Sequence, residues 1–489
     1  MKILPIVFLI CIVAHQSQSQ QVKSLTPNEL QEDFKVFRGS LEDFHPGLYW
    51  YRTPEEVNQL FDSTQATLTG AMTDMEFIRK LAPIVSFIGC GHTWIHPLES
   101  NPEKFLPIEM IIHEKKAYCK SNLSEDSLSI KPGDEILAMN GIEIDSLVSL
   151  LMTFLPTDGR ITSRKSFMVD NYLQNVYTNY FENPDEYVIR IKDGNGIEKD
   201  VAIKTLTRKE IEKNSEIRKG ESNDPRNLTL EFHQNISTAV LTVKHFFDWK
   251  EDRKNIRFES RLQKLFESID SSEVDNLVID VRDNGGGKVP WVLVSYFVDG
   301  EFVLSKQADF VFSKKSPYYQ NQTLHPAMKY LKRKWLHTWL PGSNKMKKQD
   351  DASYTLTGLY MTNPYQPTKP QFKGKVYIIA NGGSFSATAD FVAMMKSKDL
   401  ATVVGEETGG GYFGNTSMER SFVTLPNSNL RLDIPLVRHQ LNVNPIFELG
   451  SGTKPDHYVP ETLEDKFDRT DSQFEYTLDL IRKQPDSAN

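Results

Sequence analysis

Three glycine-rich turns and one histidine loop carry the residue types that acyl chemistry needs. Val376-Tyr-Ile-Ile-Ala380 reads as a buried strand that runs into Asn381-Gly-Gly-Ser384-Phe-Ser386 and at once into a small-residue helix beginning at Ala387. A serine at such a junction exposes its hydroxyl, while the unpaired N–H groups and positive dipole end of the helix face any oxyanion formed there. The same pattern suits a simple helix cap, so this segment alone leaves Ser384 and Ser386 divided between capping and attack. Asn276-Leu-Val-Ile-Asp280 is a second buried strand, ending in Val-Arg-Asp-Asn-Gly285-Gly286-Gly287. Its glycines let the backbone approach a ligand and supply a second oxyanion donor. A phosphate loop would require a following Gly-Lys-Ser/Thr, which is missing. The third turn is Val403-Val-Gly405-Glu-Glu-Thr-Gly-Gly-Gly411.

A serine at its free pKa needs a base. Gly89-Cys90-Gly91-His92-Thr93 offers an imidazole, which titrates near neutral pH and can both take and return a proton. Most lone histidines are structural, and other readings of this loop compete. His92 and His96 have i,i+4 spacing, but no Glu stands between them in a His-Glu-x-x-His pattern and Pro97 favours a turn, which argues against a metal site. Cys90 and His92 would share one strand face, whereas nucleophile and base usually converge from separate elements. His45, in a Phe-His-Pro-Gly turn, reads as a packing or capping residue.

These residues must be held by a larger framework. Leu30, Phe34, Phe37, Leu41 and Phe44 recur at helical spacing after Pro27, and further helical patterns cover Glu55–Leu68 and Met75–Ile88, which makes residues 26–100 a helical cap ending in the histidine loop. Residues 104–207 are richer in short strands: Ile108–Ile112, Ala117–Lys120, Tyr187–Ile191 and Val201–Ile203 surround Pro132-Gly-Asp-Glu-Ile-Leu-Ala-Met-Asn-Gly141 and a helix at Ser146–Phe154. This segment resembles a PDZ domain, with a helical insertion at about 155–184. Arg208–Asn227 is polar and reads as a linker. From 225 to 465, apolar strands at Ala239–Val243, Asn276–Val281, Val376–Ala380 and Thr402–Gly405 alternate with helices at Arg257–Ile269, Val289–Tyr296 and Ala387–Met395, the pattern of a buried, largely parallel sheet with its chemistry at strand C-terminal ends. Residues 466–489 form a tail or helix.

The chain has 489 residues, enough for about two to four domains, and 39% hydrophobic residues support real cores. A net charge of −8 without a basic block argues against a nucleic-acid partner. Ile3–Ala14 is an apolar run after one Lys, too short for the ~20 residues of a membrane span, and reads as a secretory signal over residues 1–20 with cleavage after Ser19 or Gln20. Ile10 before Cys11 is too bulky for a lipidation signal. Export would allow, but not require, a Cys90–Cys119 bridge.

Taken in order, the three turns resemble those of the S41 serine peptidases, the family of C-terminal processing (tail-specific) and tricorn-like proteases, over residues 26–465. The resemblance implies a multidomain α/β fold: a helical cap, a PDZ-like β-rich domain and a ClpP/crotonase-like α/β core. It makes Ser386, the last serine of Asn381-Gly-Gly-Ser-Phe-Ser386, the nucleophile, with Ser384 as fallback. It also implies an oxyanion hole from Gly285 or Gly286 with Ala387, a polypeptide substrate and no cofactor or metal. The Ser-Lys members carry their base in Gly-Glu-x-Thr-x-Gly-Lys-Gly; here that lysine position is Gly411. Tricorn-like members use a Gly-His-Thr-type loop, which makes His92 the base and Glu448, in Phe447-Glu-Leu-Gly-Ser-Gly-Thr-Lys-Pro-Asp456, the orienting carboxylate. In those members a Ser before the His relays to the Glu; here Gly91 stands there, leaving Thr93 or a water as substitutes. The implied activity is that of an exported, periplasmic or extracellular serine peptidase. Loss of the Lys and of the relay hydroxyl favours a second reading, an inactive scaffold binding peptide or lipid, and an esterase or amidase would use the same acyl chemistry.

Overall fold

Three threonines start the three helices of the N-terminal region. Thr26, Thr53 and Thr73 each accept a hydrogen bond from the backbone of a glutamate three residues on, whose carboxylate bonds back to the threonine N–H, opening Pro27–Phe44, Pro54–Ala66 and Asp74–Ile88. The apolar stripe of the first helix, Leu30, Phe34, Phe37, Leu41 and Phe44, is fully buried. Gly89 ends the third helix in the left-handed region, at φ +77°, and a Cβ there would meet the Gly159 carbonyl at 3.0 Å. The computed structural model describes residues 24–98, 103–126, 128–216, 227–246, 256–311, 315–324, 346–349, 353–356, 361–468 and 470–483. The N-terminal apolar segment with Cys11 lies outside the described residues.

The chain then enters a six-stranded antiparallel sheet with the path Glu198–Lys204, Glu186–Lys192, Glu135–Met139, Lys116–Asn122, Ile108–His113, with Ile142–Glu143 paired to Glu135–Met139. Helices Ile144–Phe154 and Ser163–Thr178 accompany it. The polar stretch read as a linker is structured in its first part: Arg208–Glu216 is a helix. Thr207 and Glu210 cap it reciprocally, at 2.7 and 3.4 Å, a Thr-x-x-Glu signal that outweighs the polar composition.

The remaining chain builds two sheets. One is ordered Leu228–His233, Thr238–Val243, Asn276–Asp280, Lys375–Ala380, Thr402–Gly405, His457–Tyr458 and is parallel except at its first strand. Asn276–Asp280, Lys375–Ala380 and Thr402–Gly405 are consecutive neighbours, so the three glycine turns emerge side by side from their C-terminal ends. The other, seven-stranded sheet centres on Leu430–Leu441, flanked by Thr416–Thr424 and Ser305–Val311. Trp94–Pro97, just after the histidine loop, pairs antiparallel with this central strand, Trp94 opposite Asp433.

A buried carboxylate joins the first helix to the hairpin before Leu430–Leu441. Asp33 is fully buried and accepts from the Asn427 N–H at 2.9 Å, the Ser428 N–H at 2.8 Å and the Ser428 hydroxyl at 2.6 Å. Asp33→Ala strips these donors of their acceptor inside the joint and is expected to destabilise the protein by about 3 kcal/mol. Thermal unfolding checks this, and an unchanged midpoint would show that the loop finds other acceptors.

Candidate active site

Ser386 sits at the sharp turn between strand Lys375–Ala380 and helix Ala387–Ser397, with φ +55° and ψ −125°. A non-glycine residue held there costs about 1–3 kcal/mol and persists only where its surroundings impose it. Phe385 N–H donates to the Asn284 carbonyl at 3.0 Å, and Gly409 N–H to the Ser384 carbonyl at 3.0 Å, gripping the turn from both neighbouring loops. Gly286, itself at φ +110°, lies so close that a Cβ on it would stand 2.8 Å from Ser386 Cβ. Ser384 is a strut in this turn: its hydroxyl is fully buried, donates to the Val281 carbonyl at 2.8 Å and accepts the Asn381 N–H at 3.1 Å. Ser386 is half-buried, and its Oγ lies 3.1 Å from His92 Nε2, across 294 residues of sequence.

The His92 ring is 6% exposed and stacks on Phe385, with centroids 4.7 Å apart. Burial, reinforced by Arg420, His439 and Arg164, holds its pKa well below 6.5, against an opposing influence of the Thr416 backbone carbonyl. Nδ1 is buried and, among the described residues, meets no partner at hydrogen-bonding geometry. For Nε2 to accept the Ser386 proton, Nδ1 must carry the ring hydrogen.

Several residues expected at the ring are elsewhere. Glu448 is exposed, in a turn whose backbone carbonyl accepts from Ser451 N–H at 3.2 Å and Ser451 Oγ at 2.7 Å, and the structure does not bring its carboxylate to His92. The Thr93 hydroxyl lies 2.8 Å from His45 Nε2. His45 Nδ1 accepts the Gly47 N–H at 3.1 Å, which makes Nε2 the donor, and burial lowers this histidine to about 4. Gly91 has a steric cause: a Cβ there would lie 2.7 Å from Phe385 Cζ, so the ring that backs His92 leaves no room for a serine. Phe385 was not a candidate from the sequence, although its place between the two serines was the available signal.

Near Ser386, the Ala387 N–H opens the helix, where no intrahelical acceptor exists for it. Gly286 lies beside it in the second turn, where a Cβ would meet the Ala387 nitrogen at 3.0 Å, but its N–H is already donated to Asn284 Oδ1 at 3.0 Å, whereas the preceding Gly285 is exposed. The position of the absent lysine is closed: a Cβ on Gly411 would meet the Gly414 carbonyl at 2.6 Å. Cys90 is buried and free, its thiol pushed up to about 12 by burial and by Asp158, which removes thiolate chemistry at ordinary pH. Cys119 is likewise buried and free, so the two thiols form no bridge. His96 faces Asp433 at 3.4 Å and the Pro97 carbonyl at 2.9 Å.

No curated protein sequence matches the chain. Among solved structures, a Ser→Ala mutant of CPAF is similar, with a TM-score of 0.64 at 14% identity over 94% of this chain and 99% of that one. Mature CPAF complexed with lactacystin gives 0.63 at 15% over 93% and 98%, and mature CPAF gives 0.61 at 14% over 94% and 99%. At these identities the likeness is one of fold. The family model described as peptidase family S41 matches residues 237–459, the segment that holds all three glycine turns and Ser386.

Proposed function

We propose that the protein is a serine peptidase with Ser386 as nucleophile and His92 as general base. The observation that carries this reading is the 3.1 Å contact between His92 Nε2 and Ser386 Oγ at a strained turn. Nε2 takes the hydroxyl proton as Oγ attacks the peptide carbonyl, and the same nitrogen returns it to the departing amine, leaving an acyl-enzyme that water hydrolyses by the reverse transfer. The Ala387 N–H and the Gly285–Gly286 turn receive the oxyanion; in the present arrangement Gly285 is the free member of that pair. We take the N-terminal apolar segment as an export signal, placing the enzyme in a periplasm or outside the cell, and the sheet within residues 104–207 as a PDZ-like module.

A non-catalytic scaffold is the second reading, favoured by the lack, among the described residues, of a hydrogen-bond partner for His92 Nδ1 and by the exposure of Glu448. A fluorophosphonate probe with mass mapping separates the two: catalysis predicts one adduct on Ser386, absent in Ser386→Ala, together with a fall of at least about 10³-fold in kcat/KM on a peptide substrate. An adduct that persists in Ser386→Ala refutes the assignment. A panel of peptide, ester and amide substrates assigns the acyl group.

Burial makes the His92 imidazolium harder to form, so the neutral base survives below pH 6.5 and activity should fall only at lower pH. A kcat/KM profile whose acid limb is centred above pH 6.5 would exclude His92 as its source. Gly91→Ser, which supplies the hydroxyl that the family resemblance expects before the base, should lower activity rather than raise it, by about 10-fold or more, because the new side chain displaces Phe385 from the ring. Activity at or above the parent level would show that Phe385 yields without moving His92.

A further inference from the structure

Residues 157–160 thread between three loops of the site. Gly159 N–H donates to the Gly89 carbonyl at 2.8 Å, and Arg160 N–H to the Gly450 carbonyl at 2.7 Å. Just before them lies Asp158, 1% exposed, with Oδ1 accepting the Gly91 N–H at 2.9 Å and Oδ2 accepting the Gly411 N–H at 3.2 Å. Gly91 is the residue before the base. Gly411 stands in the loop that packs on the nucleophile turn, where a Cβ on neighbouring Gly410 would reach Ser386 N at 3.0 Å. One carboxylate thus ties the backbone of the histidine loop to the loop beside Ser386.

We infer that Asp158 is the positioning residue of this site, a buried carboxylate that sets the His92–Ser386 separation through backbone amides instead of through the imidazole. The inference rests on the Ser386–His92 reading for its catalytic meaning. Among the described residues no side chain bonds His92 Nδ1 and the Thr416 backbone carbonyl falls short of hydrogen-bonding geometry there, so the ring's placement leans on Phe385 and on the course of its backbone, and Asp158 holds the residue immediately before it. A carboxylate suits the task because its two oxygens can accept from two separate amides at once. Asparagine keeps the shape but turns an NH₂ toward one of the two donors. The charged and titratable groups around Asp158 are Tyr51 from the cap, Cys90 from the histidine loop, Arg164 from the adjoining helix, and Asp390 and His439 of the core. Burial pushes the Asp158 carboxyl up to about 6, partly offset by the Gly91 and Gly411 amides. Protonation therefore removes one acceptor from the clamp within the range in which His92 is still neutral.

The test compares the parent protein with Asp158→Asn by three readouts. Fluorophosphonate labelling of Ser386 should slow about 10²-fold in the variant, with kcat falling and KM little changed. In the parent, the acid limb of labelling should contain a step near pH 6 that the variant lacks. Amide hydrogen exchange in peptides spanning 89–94 and 408–414 should be faster in the variant. Parent-like labelling in a folded variant overturns the inference, as does a parent profile without a step near pH 6. If the variant does not fold, that parent profile decides alone. If the parent neither labels nor cleaves, the peptidase reading fails while exchange still judges the clamp: unchanged protection of both peptides in the variant overturns it.

Discussion

The site depends on a short backbone ladder. Trp94–Pro97 follows the histidine loop by one residue and pairs with Leu430–Leu441, the central strand of the core's antiparallel sheet, Trp94 opposite Asp433. Register in a ladder advances by whole residues, so this pairing carries His92 from the N-terminal helical region to within 3.1 Å of Ser386. Gly89 turns the chain out of the third helix at the other end of the loop, and Asp33 closes the first helix against the hairpin that leads into the same central strand. The loop is thus held at both ends, and His92 is placed by backbone geometry before any side chain orients it.

Electrostatically the site is built by removal from water more than by ionic partners. His92 is desolvated and surrounded by positive charge, conditions that keep an imidazole neutral and able to accept a proton. The Arg164 guanidinium lies over the face of Phe385, 4.4 Å from its centroid, and Phe385 stacks in turn on His92, so a cation, a phenyl ring and an imidazole are linked by contact. The same loop buries Cys90 and raises its thiol beyond reactivity. Two groups two residues apart thereby receive opposite treatment: the imidazole meets the Ser386 hydroxyl, while the thiol is closed off.

Much of this was legible from residues alone. The helical stripe from Leu30 to Phe44, the parallel strands at Asn276–Asp280, Lys375–Ala380 and Thr402–Gly405, and the helix at Ala387–Ser397 follow from local periodicity, because each is decided by which faces of a short segment are apolar. The seven-stranded sheet was not readable: Leu430–Leu441 carries Asp433, Arg438 and His439 among its apolar residues, and its partners come from Trp94–Pro97 and Ser305–Val311, far away in sequence. The Arg208–Glu216 helix was hidden by its polar composition, although its capping pair was present.

The sequence by itself determined the chemical kinds in play: a serine and glycine turns at strand ends, a histidine in a glycine-rich loop, and a glycine where a lysine base would stand. These are local, set by residue type and neighbours a few positions away. Only the tertiary structure decided how they serve: that Ser384 is a strut and Ser386 faces His92, that Glu448 stands in an exposed turn, that Gly91 makes room for Phe385, and that Asp158 spans two loops. Each of these is a distance between residues far apart in the chain. Such distances arise from strand register and side-chain packing in three dimensions, which no local pattern encodes.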